Sequence, residues 1–105
     1  MLPVCPPLSQ VSQAKIYTLI EKCIIGQRRL ERAMYGLSDR SQRDTAQLIE
    51  DIRNYRRVVV EDLLKSIETP MVLENIHIIG KAMEAIDVRV DNICLLAGSE
   101  DSHSI

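Results

Sequence analysis

Neither phenylalanine nor tryptophan occurs among the 105 residues, and Tyr17, Tyr35 and Tyr55 are the only aromatics. A β-sandwich or barrel of this size leans on aromatic side chains and on frequent Gly and Pro turns. Here Gly and Pro number four each and fall mostly near the ends of periodic segments, so an all-β fold is excluded. Cysteine is also sparse. Cys5, Cys23 and Cys94 are an odd set without a C-x-x-C pair, which argues against a disulfide framework and for a reducing, cytoplasmic setting. Cys23 and Cys94 fall on apolar helical faces and read as small buried hydrophobes, leaving Cys5 as the more accessible thiol.

Long apolar runs are missing as well. No uninterrupted stretch approaches the thickness of a bilayer, so no membrane association is expected. The start, Met-Leu-Pro-Val-Cys-Pro-Pro-Leu, lacks a basic segment and carries three prolines, and it reads as neither a signal peptide nor an anchor. Catalytic signatures fare no better. Neither His sits near a Ser or Cys in a tight turn, and Gly80-Lys81 lacks the glycine loop of a phosphate-binding motif, so no enzyme activity and no cofactor are expected.

What the chain has is aliphatic periodicity. Val72, Ile76, Ile79, Met83, Ile86, Val90 and Ile93 recur at alternating steps of four and three, the seam of a helix that lies along another helix, as in a coiled coil. Ile16, Ile20, Cys23, Leu30, Met34 and Leu37 keep the same rhythm, with Gln27 in one seam position. Leu48, Ile52, Tyr55 and Val59 form a third stripe, widened by Ile49, Val60, Leu63 and Ile67. The expected fold is therefore all-α: three long antiparallel helices in a bundle, completed by dimerisation or by a partner helix. The helices span about 9–37, 41–68 and 70–97. An extended Pro-rich arm (1–8) precedes the bundle domain (9–98), and a flexible tail (99–105) follows it.

Punctuation supports these limits. Ser9 or Ser12 caps the first helix, Ser41-Gln42-Arg43-Asp44 resembles a capping box for the second, and Thr69-Pro70 opens the third. Ala97-Gly98 reads as its stop. Val58-Val59-Val60 is locally strand-like, but Glu61 and Lys65 are a favourable i,i+4 pair and keep the segment helical. Met71, Ile78, Ala82, Ala85 and Leu96 make a second stripe on the third helix, which suggests that this helix is covered from two directions and is central to the bundle.

Charge is uneven. Residues 26–57 hold eight arginines against five acids, a local +3, and the remainder carries −5. Arg28, Arg29 and Arg32 on the first helix and Arg53, Arg56 and Arg57 on the second would orient an acidic partner, while Ile79, Met83, Ile86 and Val90 would supply affinity. The bland alternative is a solvated face neutralised by Glu31, Glu50, Asp51 and Glu61. Glu74 and His77 have the E-x-x-H spacing of di-iron bundles, but no second copy of it occurs.

The pentapeptide His77-Ile78-Ile79-Gly80-Lys81 resembles the histidine phosphotransfer domains, which pair an exposed His with a nearby Lys and Gly. The resemblance covers five residues, implies a phosphoacceptor role for His77, and departs from the family in the order of Gly and Lys and in helix number. The preferred reading is a non-enzymatic protein–protein interaction module, a small chaperone, adaptor or assembly factor that binds a protein partner or a second copy of itself as a homodimer. A nucleic-acid-binding helical hairpin dimer is the second reading, and phosphotransfer through His77 the third.

Overall fold

The structure is a computed structural model that describes the backbone of residues 8–103 and the side chains of residues 8–98. Residues 1–7, which hold Pro3, Pro6, Pro7 and Cys5, lie outside the described residues. Helix α1 covers Gln10–Ala33, a 3₁₀ turn follows at Met34–Gly36, α2 covers Asp39–Val58 and passes into a π-helical turn at Val59–Leu63, and α3 covers Pro70–His103. Three helices pack against one another, and no strand occurs among the described residues. The fold is the all-α bundle that the periodicity predicts.

Local chemistry sets the ends. Ser9 caps α1 by accepting the Ser12 amide at 3.2 Å, satisfying one of the amide donors that a helix start leaves unpaired. Helix α2 begins earlier than its sequence suggests: Ser38 is the cap, accepting from the Ser41 amide at 3.4 Å, and Asp39 then lies in the first turn, where the helix dipole favours an acid. Gln42 reaches back and donates to the Met34 and Leu37 carbonyls at 2.9 and 3.3 Å, tying down the end of α1. Thr69 caps α3 through the Val72 amide at 3.2 Å, with Pro70 in the first helical position as expected.

Three expectations are corrected here. Helix α3 does not stop at Ala97-Gly98 but continues through Gly98 to His103, because glycine weakens a helix without ending it unless the chain turns left-handed; no glycine here has positive φ. Leu8, assigned to the arm, is buried in the core. The valine run adopts neither strand nor regular α-helix: the Leu64 amide donates to the Val59 carbonyl at 2.9 Å, a π spacing, and both Val59 and Leu63 are buried. Lys65 lies beyond that turn, so no helical pair with Glu61 forms.

The core is aliphatic throughout. Ile16, Leu19, Cys23 and Leu30 of α1 meet Leu48, Ile52 and Val59 of α2 and Ile76, Met83 and Val90 of α3. A smaller cluster of Ala33, Leu37 and Ala97 closes the end near the α1–α2 turn. Helix α1, not α3, is central: it packs against both others, whereas α2 and α3 meet more sparsely. Extents of 69 × 18 × 18 Å and a radius of gyration of 17.2 Å make a rod, against about 13 Å for a spherical domain of this length.

Candidate functional site

The seam proposed for partner binding lies inside the chain. Ile79, Met83, Ile86 and Val90 are all buried, with Met83 receiving a weak hydrogen bond from the Cys23 thiol at 3.7 Å. A four-three pattern requires that a face be covered, and α1 and α2 already cover this one. Those four residues hold the bundle together and present nothing to a partner.

The six arginines are dispersed in role. Arg29 pairs across the α1–α3 boundary with Asp91 at 2.7 Å, and that carboxylate raises its pKa. Arg53 pairs along α2 with Glu50 at 4.0 Å. Arg56 is half-buried, and its charge opposes the burial that pushes the Cys23 thiol up to about 11. Arg28, Arg32 and Arg57 are exposed, and no ion pair with another described residue ties them down. Two of the six are thus engaged by neighbouring carboxylates, as the solvated-face reading anticipates, each such exposed pair contributing roughly 0.2–1 kcal/mol.

The concave feature of interest lies elsewhere. Helices α1 and α3 run parallel, and their N-terminal halves diverge enough to leave a groove of about 730 Å³. Its floor is Leu19 and Ile76, and its walls are Val11, Ala14 and Thr18 from α1 and Leu73 and Gly80 from α3. Lys15, His77, Lys81 and Glu84 stand around it, with Lys81 and Glu84 3.5 Å apart. Val11 and Leu73 are 65% and 45% exposed, so the apolar walls face solvent. Three cationic or protonatable groups against one carboxylate leave the rim basic.

His77 is thus placed beside a groove, on an exposed helical surface next to Gly80, whose outer side is open. Glu74 is exposed too, and no group of three His, Cys, Asp or Glu among the described residues could hold a metal ion. Of the groove residues, the sequence reading singled out His77, Gly80 and Lys81 and used Ile76 as core. It missed Val11, Lys15, Leu19 and Leu73. Their signal was the spacing of Val11, Ala14 and Thr18 on one helix and of Leu73, His77 and Gly80 on another, which becomes a site only when the two helices are known to be neighbours.

The near end of this groove is fastened by one carboxylate. Glu68, in the α2–α3 connection, accepts from the Ser12 hydroxyl at 2.6 Å and from the Ser9 hydroxyl and amide at 3.1 and 3.2 Å. The Ser12 hydrogen bond, followed by those from Ser9, holds the Glu68 carboxyl below its ordinary pKa. No helix among the described residues is long and apolar enough to cross a membrane. No protein-family model, curated protein or solved structure matches this chain.

Proposed function

We propose that the protein is a non-enzymatic helical interaction module, a small adaptor, chaperone or assembly factor, that receives an amphipathic helix of a protein partner in the α1–α3 groove. The observation that carries this reading is the groove itself: Val11 and Leu73 remain largely in water above a Leu19 and Ile76 floor, although the chain buries most of its other aliphatic periodicity. Helix-in-groove recognition uses apolar anchors at helical spacing against such a channel. Lys15, Lys81 and His77 favour a partner whose flanks are acidic, since complementary charge steers encounter and fixes orientation.

The test is isolation of the partner from native cells by cross-linking, with Val11→Glu and Leu73→Glu in parallel. Both positions are exposed, so the variants keep their helicity, and each is expected to lose the partner that the wild-type chain retains. A partner held equally by both variants would overturn the groove reading. Salt-sensitive retention on heparin that disappears when Arg28, Arg32 and Arg57 become Glu would favour nucleic acid instead. Acid-labile phosphate on His77 after incubation with a phosphorylated receiver domain would favour phosphotransfer.

A further inference from the structure

On the flank of α3 turned away from that groove, the side chains follow a pattern that reads the same in both directions. Met71, Ile78, Ala82, Ala85, Arg89 and Leu96 are separated by seven, four, three, four and seven residues, all whole multiples of the steps that keep one helical face in line. The large apolar members are uncovered, with Met71 73%, Ile78 53% and Leu96 43% exposed. Ala82, Ala85 and Arg89 also line the shallow channel where α2 and α3 diverge.

The geometry points to a second copy of this chain as the occupant, its α3 laid antiparallel along this flank about a two-fold axis midway between residues 83 and 84. A two-fold interface must be self-complementary. This register supplies that: Met71 comes level with Leu96 of the other copy, Ile78 with Arg89, and Ala82 with Ala85. The paired alanines at the centre let the helix axes approach closely, and the long apolar side chains grip at the ends.

Charge selects the same register. Glu74 lies one turn from Ile78, and so about 6 Å along the axis from the Arg89 of the other copy, within reach of a guanidinium side chain. Neither Glu74 nor Arg89 forms an ion pair with another described residue, and the two-fold axis makes each available pair occur twice. A parallel arrangement would instead place Arg89 against Arg89 and leave both acids unmatched. The inference is independent of the α1–α3 groove, which lies on the opposite flank of α3 and stays open in such a dimer.

Sedimentation velocity over a dilution series is the direct test. The wild-type chain is expected to sediment as a dimer that dissociates on dilution. Ala85→Glu, an exposed substitution compatible with a helix, is expected to be monomeric with unchanged helicity. Arg89→Glu should weaken the dimer at least tenfold, and adding Glu74→Arg should restore it. Leu73→Glu, on the other flank, should not affect it.

Orientation is read from a spin label at Leu95→Cys, with Cys5 and Cys94 replaced by Ser. Antiparallel pairing about the stated axis separates the two labels by about 34 Å along the rod, whereas parallel pairing leaves only two helix diameters, roughly 20 Å. A wild-type chain that is monomeric throughout, an Ala85→Glu chain that still dimerises, or the shorter label distance would each overturn the proposal.

Discussion

Replacing Gly26 by alanine tests the packing account where it is most quantitative. Gly26 is buried in α1, where the central helix faces both neighbours. A Cβ added there would meet Ile52 Cδ1 at 3.6 Å and Val90 Cγ2 at 3.9 Å, which is ordinary van der Waals contact. The backbone is helical and no left-handed conformation is needed. Alanine is favoured over glycine in a helix interior by about 1 kcal/mol, and burying a methyl adds up to about 0.8 kcal/mol. The expected gain is therefore about 1–2 kcal/mol, or roughly 4–15 °C in Tm for a domain of this size.

The measurement is urea and thermal unfolding followed by circular dichroism, with the urea m-value unchanged. Gly36 is the internal control. Its added Cβ would lie 2.9 Å from the Ala97 carbonyl oxygen, a backbone atom that cannot swing aside, so Gly36→Ala should lower stability by about 1–3 kcal/mol. A loss of stability in Gly26→Ala, or equal effects of the two substitutions, would refute the assigned helix spacing.

Three further outcomes are expected. Met83→Asp places an unpaired carboxylate among Cys23 and the core aliphatics, a cost of several kcal/mol, so it should abolish the cooperative melt itself, not merely an association; a well-folded Met83→Asp chain would contradict the intramolecular seam. The Glu68 carboxyl, held low by the Ser12 and Ser9 hydrogen bonds, contributes stability that is present above the ordinary Glu pKa and is lost as pH falls through its lower folded value. Glu68→Gln should therefore reduce the acid dependence of Tm, and an identical pH profile would count against the clasp. Burial pushes the Cys23 thiol up to about 11, so with Cys5 and Cys94 replaced by Ser, a thiol reagent at neutral pH should modify Cys23 only as fast as the chain opens; prompt labelling under native conditions would show an open α1–α3 contact.

Much of the fold was legible because a long seam constrains every residue along it. The Val72 to Ile93 pattern identified the buried face of α3 nearly residue by residue, since seven apolar positions in four-three register have no other common surface. What that pattern could not say is which surface does the covering. Burial inside the chain and burial against a partner leave the same residue spacing, and so Ile79, Met83, Ile86 and Val90 were read as interface although they are core. The same ambiguity put α3 in the middle in place of α1. Helix ends were less legible: Ser38 and Ser41 are equally good caps by type, and only the position of Gln42 beneath the Met34 carbonyl separates them. The groove was invisible as a site because its two walls are some sixty residues apart in the chain.

The π turn at the end of α2 carries a consequence for how the chain can vary in length. Its wider spacing accommodates one residue more than a regular α-turn over the same rise, while Val59 and Leu63 both stay inside. Deleting a single residue between 59 and 63 would relax the ladder to ordinary α geometry, yet it would swing everything that follows by about 100° around the helix axis. Leu63 would then leave its socket, and Glu68 would aim away from the two serines it clasps. The spot where local rules most readily spare a residue is thus one where the molecule's count of residues is fixed, as a tooth is fixed by the gear it meshes with.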